Sequence, residues 1–481
     1  MKTLTSYLNL SGSRSPHGLA MVVGSALLAL LASCGGDSST APAPPVAGTA
    51  VQVNMGDEPA DWLLAFSMNV SSMSLTSAGG GYATVTGNAP IEMIHRLGTM
   101  EPVALINAAQ GTYTGASFSI ASCKFTYLDP VTKTRTEKTL TGPFSVSVPF
   151  SSGVSLGTTP LAFNFDLDLE KSLLQDNSGS FQFTPKFKVS TETMKGNGTG
   201  SSVNARYGGM YQMMGTVSAV SGTSFSIAQH QAAQTFTFQI SNETQFRGRI
   251  TQMSQLGKDM GVMVTAALQS DGTFLAKQVR ATMSAGGAMG GGIVTTITPP
   301  IDKPTTEFTV VMQNGAGASI LTDYLTKTVT VKLTDKTTYE IDTDRISLTG
   351  LDFTPVFDAS NINVGQGVLP FSDTAITAIS PCTTSCGTIT ASTVRLREQG
   401  FRGTTEVNIA PGAASTFTLT LMPGCAFTTL TGATQIEVYQ LTGTNVEDDT
   451  TIAAGATLRV HGLLFFDGGK WKLIASTIAS S

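Results

Sequence analysis

The side chains in this chain that could do chemistry are carboxylates, thioethers, five cysteines and four histidines. Asp57, Glu58 and Asp61 crowd one turn. Carboxylates at that spacing could hold Ca²⁺, a hard cation that takes about six to eight oxygens, or Asp57 and Asp61 could share general acid and base work. An acidic turn beside a strand needs no ion, so no metal and no cofactor is expected, and these three stand only as fallback candidates. Asp166, Asp168 and Glu170 read as the solvent side of an amphipathic strand. Met210, Met213, Met214, Met283 and Met289 sit in Gly-rich stretches. Thioethers favour Cu(I), but with no His or Cys beside them the residues read as gap fillers.

His17, His95, His230 and His461 are spread along the chain, so local spacing assembles neither a triad nor a metal cluster. No Gly-x-Ser-x-Gly elbow, HExxH helix or phosphate loop is present. No catalytic residue is assigned, and a non-enzyme is expected. Cys382 and Cys386, separated by Thr383-Thr384-Ser385, are expected to form a local disulfide in an oxidising compartment. Cys123 and Cys425 fall in different proposed domains and read as buried thiols.

The compartment follows from the N-terminus. Lys2, Arg14 and His17 precede an apolar run from Leu19 to Leu31 that is short for a bilayer span and has the layout of a secretory signal. It ends in Leu31-Ala32-Ser33-Cys34, which resembles the bacterial lipobox. That resemblance implies cleavage after residue 33, lipid on Cys34 and a membrane as partner through it; Gly35 implies the outer membrane. Residues 34–50 mix Gly and Ser with Pro and read as the lipidated cysteine and a flexible tether.

The elements that must position these residues are strands. Charged residues are only 13% of the 481, and glycine contributes 50. Such a composition suits pleated strands and tight turns, and the length suits about two to four domains. Lys plus Arg total 28 against 33 Asp plus Glu, so no basic excess exists to neutralise a phosphate backbone, and nucleic acid is not an expected partner.

Leu64, Phe66, Met68 and Val70 alternate with polar residues, and Met73 and Leu75 continue on the other parity, which places a bulge near Ser71-Ser72. Phe118 and Ile120 shift in the same way to Cys123, Phe125 and Tyr127. With Phe144 to Phe150 and Leu161 to Leu169, these alternations predict an antiparallel β-sandwich over 51–195. The turn Gly56-Asp57-Glu58-Pro59-Ala60-Asp61, the strand through Met68 and Val70, and the later Gly111-Thr112-Tyr113 resemble the bacterial lipoprotein domain of unknown function 4382. That family supplies a fold and a compartment but no activity.

Beyond a Gly/Met-rich linker at 196–212 the pattern repeats. Val262, Val264, Leu268, Asp271 and Gly272 superimpose at one constant offset on Leu458, Val460, Leu464, Asp467 and Gly468. Gly215-Thr216-Val217 leads to Phe225-Ser226-Ile227 and Phe236-Thr237-Phe238; Gly292-Ile293-Val294 leads to Phe308-Thr309-Val310 and Val329-Thr330-Val331; Gly403 leads to Val407 and Phe417-Thr418-Leu419. Three copies are expected, at 213–283, 292–398 and 400–479, with a Gly-rich linker at 284–291. The pattern resembles domain of unknown function 5666, which implies small OB-like barrels, and OB faces commonly take oligonucleotides or oligosaccharides. The expected whole is an all-β, lipid-anchored envelope protein, outside the cytoplasm, that binds glycan or protein. A carboxylate-based hydrolase and a Ca or Cu binder are the alternatives.

Overall fold

The computed structural model describes residues 48–480 apart from 59, 81, 97–99, 130, 177, 195–208, 230–234, 270–272, 283, 300–303, 318–320, 383 and 448–449. The signal segment with His17, Cys34, most of the tether, His230, Met283, the Asp271-Gly272 turn and the side chain of Glu58 thus lie outside the described residues. The fold is all-β, and no described helix is long and apolar enough to cross a membrane.

The sandwich has ten strands: β1 (Gly48–Glu58), β2 (Leu63–Ser77), β3 (Tyr82–Glu92), β4 (Met100–Ala109), β5 (Gly111–Leu128), β6 (Arg135–Leu156), β7 (Leu161–Asp168), β8 (Leu173–Gln175), β9 (Phe181–Phe183) and β10 (Phe187–Thr193). One four-stranded sheet has the order β10-β7-β1-β4, the other β3-β2-β5-β6, and β8 and β9 form a small hairpin. The pairing is antiparallel apart from β1 and β7, which run parallel from Val51 opposite Leu161. Register shifts fall between Val70 and Ser72 and between Ile120 and Ser122, where the alternation changes parity. Phe66, Phe125, Phe163 and Phe165 are fully buried between the sheets. Each contributes on the order of 1.5–3 kcal/mol by leaving water.

In β1, however, Gln52 and Asn54 are as buried as Val51 and Val53. Gln52 Nε2 donates to Asn54 Oδ1, and Asn54 Nδ2 to Asn164 Oδ1, both at 2.8 Å. This polar ladder lies on the sheet face whose Leu105 and Ala162, opposite Gln52, pack into the core of the first barrel rather than facing water.

The first barrel comprises β11 (Gly209–Ser221), β12 (Ser224–Ala228), β13 (Thr235–Gln239), β14 (Gln245–Gly248), β15 (Gly261–Leu268) and β16 (Phe274–Ala281). A β11-β12-β13 meander is closed by β15 against β11 and by β16 running parallel to β13, the OB order. The third barrel repeats it with β25 (Gln399–Thr404), β26 (Ser415–Leu421), β27 (Gln435–Gln440), β28 (Asn445–Val446), β29 (Thr457–Asp467) and β30 (Lys470–Ser480). Its β29–β30 turn is Gly468-Gly469, both at positive φ, as a type I′ hairpin requires. Between β16 and β25 lies the second barrel: β17 (Ala288–Thr298), β18 (Glu307–Gly317), β19 (Thr328–Lys332), β20 (Thr338–Ile341), β21 (Gly367–Ser372), β22 (Thr377–Ala378), β23 (Gly387–Thr390) and β24 (Thr393–Leu396). Here the closing strand is split. β23 runs parallel to β19, and after Ala391-Ser392 the chain crosses to pair with β21 as β24.

Several expectations are corrected. The Gly-rich stretch at 284–291 is no linker from Ala288 on, because it forms the buried start of β17. Its glycines are there for room: a Cβ on Gly291 would collide with Asn314 Oδ1 and Arg397 Nη1. Residues 209–212 likewise belong to β11, and 48–50 to β1. In the third copy Phe417–Leu419 is the second strand, not the third, and Val407 is an exposed loop residue. Asp166 and Asp168 do not line a wet face, since Asp168 is buried and caps the helical turn Leu169–Ser172 while Asp166 faces the third barrel.

The barrels share cores rather than hanging as beads. Leu463, Phe465 and Ile474 of the third barrel pack into the core of the second. Met214, Met263 and Met289 fill the seam between the first two, and Met210 and Met213 lie in the first core. Leu64 and Ala65 of the sandwich meet Val311 and Ala426 of the second and third barrels.

Candidate functional site

The sandwich and all three barrels meet at one polar cleft of about 1070 Å³, its open mouth included. The sandwich brings Asp57 from the end of β1, His95 from the single turn Ile94–Arg96, Glu101 from β4 and Asp166 from β7. β11 brings Tyr211 and Gln212; the second barrel brings Asp342 and Arg345 from the segment after β20, and Arg397 and Glu398 from the segment after β24; β29 brings Arg459 and His461.

One carboxylate organises the centre. Glu398 receives Arg345 in a fork, Nη2 to Oε2 at 2.6 Å and Nε to Oε1 at 3.2 Å. The same Oε2 accepts from His461 Nδ1 at 2.9 Å and from Ser476 Oγ at 2.5 Å. The Arg345 guanidinium lies 4.2 Å from the ring centre of Tyr211, a cation–π contact that ties in the first barrel. Burial opposes the charge on Glu398, but Arg345 and His461 outweigh it and hold the carboxyl far below the usual range. Burial also keeps His461 below its ordinary value despite Glu398, which favours the neutral imidazole.

Around this centre stand three further groups. Arg395 Nη2 reaches Asp342 at 2.6 Å and Asp344 at 3.0 Å; burial, set against Arg395, leaves Asp342 raised. His95 sits between two carboxylates, Nδ1 to Glu92 at 2.6 Å and Nε2 to Glu101 at 2.8 Å. Burial disfavours its charge, yet Glu101 and Glu92 prevail and raise it, while Arg96 and His95 bring Glu101 down to about 2 against its own burial. Arg459 is more loosely held, 3.7 Å from Asp166 and 3.9 Å from Glu447.

The sequence-derived candidates fall out differently. Asp57 lines the polar cleft, whereas Asp61 lines a second, apolar pocket, where Arg402 Nε meets it at 2.8 Å and burial raises its carboxyl to about 6. The acidic turn therefore does not converge on one ion. Glu170 caps the other side of Arg402 at 2.8 Å. The sulfurs of Cys382 and Cys386 lie within disulfide-bonding distance on the loop before β23. Cys123 and Cys425 are free and buried, and burial pushes the Cys123 thiol up to about 12. His95 and His461, distant in sequence, line the same cleft. The available signal at His461 was a polar residue within an otherwise apolar strand, following Val460 in β29, whereas Glu398, just past β24, carried no such signal.

Residues 214–280 match the family described as domain of unknown function DUF5666. The match covers the first barrel, and the third repeats that DUF5666 barrel's strand order. No curated protein matches the chain. A solved structure titled "drosophila Unr CSD456" aligns over 56% of this chain and 97% of that one at 9% identity, with a TM-score of 0.12, a likeness too weak to bear on fold or function.

Proposed function

We propose that this chain is a cell-envelope lipoprotein, held to the outer membrane by lipid on Cys34, and that its four modules form a non-enzymatic binding or structural unit for envelope glycan or protein. Its sandwich then corresponds to the lipoprotein domain of unknown function 4382. The observation that carries the reading is the polar cleft to which every module contributes. Donor and acceptor side chains both line it, several of them held in ion pairs. Hydroxyl groups both donate and accept, so a glycan matches this lining better than a ligand of one charge. Ser476 Oγ donates to Glu398 rather than to an imidazole nitrogen, an arrangement that orients side chains but activates no nucleophile.

The hydrolase alternative gains one specific support. Asp342 and Glu398 both line the cleft with their carboxyls pushed in opposite directions, a pattern that acid and base pairs use. The Ca or Cu alternative has less, since among the described residues no group of three His, Cys, Asp or Glu is placed to hold a metal ion. A paired screen of the full chain separates these readings. Saturable binding to envelope glycans or proteins without turnover of ester, glycoside or peptide substrates is expected. Turnover abolished by Asp342→Asn would overturn the binding reading.

A further inference from the structure

A second pocket, about 760 Å³ with its mouth, lies between the sandwich and the second and third barrels. Its walls are largely apolar, with Leu63, Ile293, Phe401, Leu421, Phe427 and Leu430 facing the space. Its polar pair, Asp61 and Arg402, is already matched, with Glu170 completing the arginine.

Arg397 also lines this pocket, and its situation is different. It is only 8% exposed, and among the described residues it forms no ion pair. Its guanidinium donates to two neutral amide oxygens, Nη1 to Asn314 Oδ1 at 3.1 Å and Nη2 to Gln313 Oε1 at 2.5 Å, and Nε is without a partner. The carboxylates that act on it through space are committed elsewhere: Glu92 and Glu101 to His95 and Arg96, and Asp342 to Arg395. A buried cation without a contacting anion is expensive, and a carboxylate brought in by a ligand would relieve it. Burial accordingly lowers Arg397 to about 10.

We propose that this pocket binds an aliphatic monocarboxylate, with the hydrocarbon chain against the apolar wall and the carboxylate paired with Arg397. Arg397 lines the polar cleft as well as this pocket, so the octanol comparison, which reads the apolar wall alone, distinguishes the two sites. Octanoate is the probe, titrated calorimetrically into the full chain, with octanol as the same chain lacking the charge. Octanoate should bind saturably, one per chain, and octanol at least about tenfold more weakly. Arg397→Gln should weaken octanoate about tenfold and leave octanol unchanged; Leu430→Trp, which puts a bulkier side chain on the pocket wall, should abolish both. Equal binding of octanoate and octanol to the unaltered chain, or no saturable octanoate binding, would overturn the proposal. Undiminished octanoate affinity in folded Arg397→Gln would also do so, and the wild-type comparison decides the matter should that variant fail to fold.

Discussion

Oε2 of Glu398 lies 2.9 Å from Nδ1 of His461, with Nη2 of Arg345 2.6 Å away on the same oxygen. One carboxylate at the end of the second barrel thereby satisfies a histidine of the third and an arginine stacked on the first.

Removing that charge should be costly because the buried Glu398 carboxylate is the anion that forks the half-buried Arg345 and accepts from His461. Glu398→Gln is expected to lower unfolding stability by about 3–5 kcal/mol in guanidinium melts. The exposed Glu406→Gln should stay within about 0.5 kcal/mol.

Stability should also depend on pH at both limbs. Glu101 is lowered from 4.5 to about 2, so its contribution is complete above 4.5 and fades as the pH falls towards 2. His95 is raised, so its contribution is complete below 6.5 and is lost as the pH rises through its folded value. His461, lowered, has the opposite sign and weakens the fold below 6.5. Denaturant melts at successive pH values should show a loss on the alkaline side that His95→Gln flattens. A wild-type profile equal to the variant's there would contradict the assignment.

The barrels should not behave as separable beads. Gly291 has no room for a methyl group beside Asn314 and Arg397, so Gly291→Ala should destabilise by about 1–3 kcal/mol. Because the second and third barrels share a core, scanning calorimetry should show them melting in one transition. Resolved separate transitions would argue against the shared core.

Strand parity was legible wherever one face of a strand is apolar, as at Val70 to Ser72, where the bulge falls where the alternation breaks. The D-G signal likewise found the β29–β30 hairpin. What local pattern could not show was which outer faces other modules cover. Asp166 looks solvent-facing because its neighbours alternate, yet Arg459 approaches it from another barrel. Gly290 and Gly291 look like a linker because glycine is ambiguous between freedom and close packing, and only the opposing Met312, Asn314 and Arg397 decide it. The cleft was invisible for the same reason, since His95 and His461 meet only through tertiary structure.

The anchor and the loop clamp have direct chemical readouts. Cys34→Ala should abolish fatty-acid labelling, and detergent-free release of the unaltered chain from membranes would count against the anchor. Peptide mapping without reductant should recover Cys382 joined to Cys386, which lie at bonding distance. Free thiols at both in fresh envelopes would contradict it.

The central claim is that the four-module cleft recognises a ligand without transforming it, and Arg459 is the best probe because its ion pairs, at 3.7 and 3.9 Å, are the loosest in the cleft. The decisive measurement is calorimetric titration of envelope polysaccharide fragments into the full chain and its Arg459→Gln variant, with product analysis of the same samples. Saturable binding weakened at least about tenfold in the variant, or about 1.4 kcal/mol, with every fragment recovered intact, is the predicted result. Unchanged affinity, or cleaved fragments whose production stops in Asp342→Asn, would contradict it.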